Sequence, residues 1–231
     1  MLKRVDGAGR RLRPASLLEA LRERTKALHT QAERSGLIAE ILHGRGTQTG
    51  YLLLLRNLLP VYATMEAELV RHRGSPGMGA IVFPELNRAT AIESDLAQLS
   101  DRWSELPLLP AALKYAAAIS MASAGTGQRL IAHAYARYLG DLSGGQILKR
   151  LLERSLDLPA TALSFYEFPA IADIAAFKVS YRAAIEQAGD VLDDFDGVVE
   201  EGALAFELNI ELSVALQAVA ATMEGRATWP A

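Results

Sequence analysis

The chain has no cysteine among its 231 residues. That excludes disulfides, thiolate nucleophiles, zinc–cysteine and iron–sulfur sites, and any cofactor tethered through a Cys-x-x-Cys-His run. A bound metal must use His, Asp, Glu or water. There is no excess of one charge: the formal net charge is −3 at pH 7, whereas a nucleic-acid binder carries a strong basic surplus. Long uninterrupted apolar runs are also missing. The run from Tyr115 to Ala124 is too short to cross a bilayer, and Glu207 and Glu211 break up the C-terminal apolar stretch. The basic N-terminus (Lys3, Arg4, Arg10, Arg11, Arg13) is not followed by an apolar signal core before Glu19 and Arg22. A cytoplasmic protein without a membrane anchor is the expectation. Its layout would be a basic disordered tail over 1–14, a folded domain over 15–223 and a short tail over 224–231. Period-two alternation is scarce, which argues against a sheet. No Gly-x-x-x-x-Gly-Lys-Ser/Thr loop is present, so Leu142-Ser143-Gly144-Gly145-Gln146, a match to the signature loop of ABC-type ATPases, is a coincidence.

What the chain does have is apolar content, 50% of residues, spaced with helical periodicity nearly throughout. Ser16 suits an N-cap with Glu19 as capping-box partner, opening a helix that stops at Gly36. Further helices are expected over 37–43, from Thr49 through Leu69 with a kink at Pro60, from Pro84 to Leu99, over 111–122, over 127–156, over 171–187 and over 191–223. The stretch from Pro159 to Pro169 reads as a connector. The sum is a single all-α domain of about eight helices, packed ridge into groove.

One of these helices breaks a rule. The segment His133-Ala-Tyr-Ala-Arg-Tyr-Leu-Gly-Asp-Leu-Ser-Gly-Gly-Gln-Ile-Leu-Lys-Arg150 holds Gly140, Gly144 and Gly145. Each glycine inside a helix costs about 1 kcal/mol against alanine. Gly140 and Gly144 are four apart and share one face. A face without side chains can bend, and it lets something flat approach the backbone. Asp141 puts one carboxylate at its rim. Close helix–helix packing would use the same small residues, so spacing alone leaves both readings open.

Other candidates are weaker by pattern. His29 sits among Leu21, Thr25, Leu28 and Ala32, with Glu33 one turn on to orient its ring and Arg22 two turns earlier. It reads as a half-buried core histidine or as a ligand. His43, His72 and His133 fit capping or packing roles. Lys178 and Arg182 are one turn apart, with Tyr181 beside Arg182. They form either a solvated face or a clamp for an anionic ligand.

Two segments together carry a resemblance. Leu21-Arg22-Glu23-Arg24-Thr25-Lys26-Ala27-Leu28-His29-Thr30-Gln31-Ala32-Glu33 and the His133–Arg150 stretch both resemble haem oxygenase, in the same order and at the same separation. Phe83-Pro84-Glu85-Leu86, Phe177-Lys178 to Tyr181-Arg182 and Phe206-Glu207-Leu208-Asn209 add lesser likenesses. The resemblance covers roughly residues 17–219. It implies a single helical domain with haem, both cofactor and substrate, held between two helices. By that likeness His29 is the proximal iron ligand, and Glu33 and Phe206 are among the residues that bind the cofactor. Gly140 and Gly144 belong to the distal helix, and Asp141 is the distal carboxylate acting through ordered water. Arg22, Lys178 and Arg182 hold the propionates, with Tyr135 nearby. Arg22 stands where lysine is common in the family.

The resemblance further implies oxidative opening of haem to biliverdin, with carbon monoxide and ferrous iron released and dioxygen consumed, and it leans to alpha-edge cleavage. Electrons would come from a ferredoxin-like or flavodoxin-like donor, since no flavin or nicotinamide motif is present. Lys26, Lys149, Arg150 and Arg154 are either a docking face for that donor or ordinary solvated surface.

Overall fold

The computed structural model describes residues 16–156, 158 and 160–225. The tail expected over 1–14 and all but the first two residues of the tail expected over 224–231 lie outside the described residues. Among those described there are nine α-helices and no strand.

Helix α1 (Leu17–Glu33) starts where expected, because the Ser16 hydroxyl accepts from the Glu19 amide at 3.2 Å. Its buried residues are Leu17, Ala20, Leu21 and Thr25. The burial therefore ends halfway, and the last two turns, with His29, run past open surface. Gly36 does not end α1 but opens α2 (Gly36–Leu42) at φ +61°. A Cβ there would lie 2.3 Å from the Ser213 backbone, so only glycine allows this close approach.

Two long helices form the spine. Helix α3 (Gln48–Arg71) passes through Pro60 without a break and is buried almost all round, as its unbroken Tyr51–Leu55 apolar run requires. Helix α9 (Phe195–Gly225) packs against α1, α2, α3, α5 (Pro110–Ala122) and α6 (Leu130–Gly140). By length and hydropathy α9 could cross a membrane. Its apolar content is instead used inward, through Val198, Phe206, Leu208, Leu212 and Leu216.

The expected helix from Pro84 to Leu99 is divided. Residues Pro84–Leu86 form a 3₁₀ turn, Asn87 is extended, and α4 (Ala89–Leu99) begins afresh. The Glu66 carboxylate accepts from the backbone N–H groups of Arg88 (2.5 Å) and Ala89 (3.1 Å), supplying the cap that Arg88 cannot give itself. The connector after α7 (Gln146–Leu156) is ordered by α4. Asp95 accepts from the Ser164 amide (2.9 Å), the Phe165 amide (2.8 Å) and the Ser164 hydroxyl (2.5 Å). That fixes the 3₁₀ segment Ala160–Tyr166. Helix α8 (Ile174–Gly189) starts three residues later than expected, capped by Asp173.

The glycine-bearing helix is not continuous. It divides into α6, one π-helical turn (Asp141–Gly145) and α7. The i→i+5 widening of such a turn is found mostly at functional sites, and here it falls on the glycines.

Candidate functional site

Tyr135 of α6 interacts with Thr25 of α1. Along α1 His29 lies about 6 Å beyond Thr25, and along α6 Gly140 lies about 7.5 Å beyond Tyr135, at 1.5 Å per residue. Both are exposed. The imidazole is 59% exposed, with Nδ1 3.6 Å from Glu33 Oε1. That is just beyond hydrogen-bond length, so Glu33 orients the ring by charge more than by a formed bond. Phe206 of α9 braces it, ring centroids 5.8 Å apart.

Gly140 and Gly144 are bare. A Cβ built on Gly140 or Gly144 meets nothing within 4 Å, whereas one on Gly145 lies 3.2 Å from Tyr166 Cδ1. The π turn therefore has one empty face and one face seated on Tyr166. Gln146 donates to the Tyr166 carbonyl at 2.7 Å and fastens that seat.

Asp141 is only 6% exposed. Tyr62 of α3 donates to its Oδ2 at 2.5 Å. Arg137, one turn back, has Nη2 3.6 Å from Oδ1. The guanidinium also donates to the Tyr62 oxygen (2.9 and 2.7 Å) and to Asn209 Oδ1 (2.7 Å). Burial raises the Asp141 pKa above the usual aspartate value, and Arg137, the Tyr62 hydrogen bond and Arg88 only partly oppose this. Burial disfavours the Arg137 charge, yet Tyr62, Asp141 and Tyr115 hold it firmly protonated. The hydroxyls of Tyr115, Tyr138 and Tyr166 are buried without a protein partner. All three feel the field of Asp141, and such groups ordinarily bind water.

Two cations act on Tyr135. Tyr135, raised in pKa by burial, is pulled back by Thr25 and by the charges of both Arg22 and Arg182. Lys178 lies one turn before Arg182 on α8. Among the described residues no carboxylate approaches Arg22, Lys178 or Arg182 within 4 Å, so the three remain available to an anionic ligand.

The other histidines are committed elsewhere. His43 Nδ1 is 2.6 Å from the Ala39 carbonyl, His72 lies flat on Gly127, and His133 is fully buried, 2.9 Å from Glu201. Of the four residues considered for docking, Lys149 is engaged by Glu167 (2.8 Å) and Glu153 (3.4 Å), while Lys26, Arg150 and Arg154 are exposed. Sequence reasoning missed Tyr62, Arg137 and Asn209. The Arg137–Asp141 spacing of four was a legible signal; Tyr62 looked like any buried tyrosine of an apolar helix.

Among the described residues no three His, Asp or Glu side chains converge on a metal site. An exposed imidazole and a bare stretch of backbone suit a flat metal complex that brings its own ligands, and cations without a carboxylate partner suit acidic substituents at its edge. The residues present thus fit haem.

Comparison with known proteins agrees. The family model described as Heme oxygenase matches residues 15–215. Human heme oxygenase 1 is 40% identical over 209 residues, 88% of this chain and 73% of its own. Heme oxygenase 1 of Synechocystis is 36% identical over 199 residues, 85% of this chain and 83% of its own. Its crystal structure in complex with heme superposes with TM-score 0.81 at 35% identity, covering 92% of this chain and 97% of that one. Heme oxygenase of Leptospira interrogans gives TM-score 0.82 at 37% identity, covering 87% and 99%. The chain belongs to the haem oxygenase family, the enzymes that degrade haem to biliverdin.

Proposed function

We propose that His29 would hold the haem iron, that Gly140 and Gly144 would form the other wall of the same cleft, and that Asp141 manages protons there. Bound haem supplies the iron that activates dioxygen and the ring that is oxidised, with biliverdin, carbon monoxide and ferrous iron as products. One observation supports this reading: beyond the interaction of Tyr135 with Thr25, α1 carries an exposed imidazole and α6 runs into a backbone surface stripped of side chains, with a buried carboxylate beside it.

Each residue then has a task. Phe206 and Glu33 limit the rotation of the His29 ring. The glycines would keep side chains off the haem face turned toward them, leaving room there for a small ligand. Asp141 is too buried and too strongly held by Tyr62 to swing into that space. It therefore acts through water, and water-bridged bonds are nearly as favourable as direct ones. Its raised pKa brings it closer to the working pH of a proton-transfer group. Arg22, Lys178 and Arg182, with Tyr135, would hold the propionates and so fix the in-plane orientation of haem; the spacing of Lys178 and Arg182 resembles that of the alpha-cleaving members of the family. A ferredoxin-like or flavodoxin-like donor supplies electrons in the cytoplasm, docking on the exposed cations Lys26, Arg150 and Arg154.

Asp141→Ala tests the proton role. Ferric haem should bind with an unchanged histidine-type spectrum while biliverdin formation under reductant and air fails. Normal turnover would remove Asp141 from the chemistry.

A further inference from the structure

The N-terminus of α1 is capped from outside its own segment. An α-helix leaves its first amides without intrahelical partners. Here the Ser16 hydroxyl takes the Glu19 amide, and the other two go to Glu186 of α8. Leu17 N donates to Glu186 Oε2 at 3.0 Å and Leu18 N to Oε1 at 3.3 Å. The carboxylate thus uses both oxygens at the positive end of the helix that carries His29. The helices also touch three residues further along α8. A Cβ on Gly189 would lie 2.9 Å from Leu17 Cβ, and Leu17 is buried. Glu186 and Gly189 together form a junction between α1 and α8.

The junction stands next to the cations. On α8, Arg182 is one turn and Lys178 two turns before Glu186. On α1, Arg22 is about one turn beyond Leu17 and Leu18. Arg22 on α1 and Arg182 on α8 both exert their charge on Tyr135, and because Leu17 and Leu18 of α1 are bonded to Glu186 of α8, their separation depends on where the helices are joined.

Resting on the propionate-clamp reading above, we infer that Glu186 is a positioning residue. By gripping the α1 N-terminus it sets the spacing of Lys178 and Arg182 on α8 against Arg22 on α1, and thereby the in-plane orientation of haem over His29. It touches neither haem nor the reacting atoms. Loosening it lets α8 shift relative to α1, and more than one meso edge is then presented.

The test compares Glu186→Ala, Glu186→Gln and Ser16→Ala. Ser16→Ala removes a cap from the same helix end without touching α8, so it controls for general loss of stability. Gln retains one acceptor oxygen and covers the case in which the alanine variant fails to fold. In the haem-free protein, exchange of the Leu17 and Leu18 amides should accelerate in the Glu186 variants and not in Ser16→Ala; equal protection would overturn the junction. With ferric haem, Glu186→Ala should bind up to roughly tenfold more weakly, the scale of a charged hydrogen bond, and yield a mixture of biliverdin isomers. Glu186→Gln should fall between it and the parent, and Ser16→Ala should keep the parent isomer. A Glu186→Ala product indistinguishable from Ser16→Ala would overturn the inference. Lys178→Ala and Arg182→Ala separate the two levels. If neither changes haem affinity or isomer, the clamp reading fails and the inference with it; if they do while the Glu186 variants do not, only the inference fails.

Discussion

Tyr62 donates its hydroxyl hydrogen to Asp141 at 2.5 Å, from a helix 79 residues earlier in the chain. The Asp141 carboxylate is thus held by α3, a largely buried helix, and not only by the glycine-rich segment on which it sits. Arg137 completes the arrangement by donating to both Tyr62 and Asn209.

Tyr62→Phe removes the donor to Asp141 and an acceptor for Arg137. Leaving buried polar groups unpaired costs about 1–3 kcal/mol. The variant should unfold at correspondingly lower denaturant, bind ferric haem with near-parent affinity and form biliverdin more slowly. Unchanged turnover would show that Asp141 needs no such support.

Gly144→Ala and Gly145→Ala should act in opposite directions. At Gly144 a methyl group enters open space, so the haem-free protein should gain up to about 1 kcal/mol from improved helix propensity while haem affinity or turnover declines. At Gly145 the methyl group meets Tyr166 at 3.2 Å, and the haem-free fold itself should suffer. Denaturant titration followed by haem titration checks both.

The pH dependence of stability isolates Asp141. Its folded-state pKa is raised, chiefly by burial, so the folded state holds this proton more tightly than the unfolded chain does. The associated stability is fully present below the ordinary aspartate pKa and is lost as pH rises through the raised folded value. Subtracting Asp141→Asn from the parent in haem-free form cancels the other carboxylates. The difference, parent minus variant, should fall as pH rises over that window and then level. A rise would mean the carboxylate is stabilised, not burdened, by its surroundings.

Asp95→Ala leaves the Ser164 and Phe165 amides without their acceptor. The 3₁₀ segment over 160–166 should loosen and take Tyr166 away from Gly145. Amide exchange should speed up in both segments, with haem turnover impaired although Asp95 stands far from the cleft in sequence. Faster exchange confined to 160–166 would separate the two segments.

The helical class and the α1 start at Ser16 were legible because each rests on local chemistry: periodicity and a cap. The π turn was not, since the same glycines fit a plain helix and the residues packed against it, Tyr62 and Tyr166, come from distant parts of the chain. The break between Pro84 and α4 was hidden for a similar reason: its cap, Glu66, comes from α3. His29 remained ambiguous by pattern because its apolar neighbours suggested burial; the structure shows that α1 stays buried only as far as Thr25. Phe206 and Asn209 lie in one short motif, yet only the fold shows that the first faces His29 and the second Arg137.

The most direct test is the absorption and electron paramagnetic resonance spectrum of His29→Ala loaded with ferric haem. The parent should show an axial histidine, and the variant should lose that signature and regain it with added free imidazole. An unchanged histidine signature in His29→Ala, without imidazole, would place the iron on another residue and contradict the cleft between His29 and the bare glycine face.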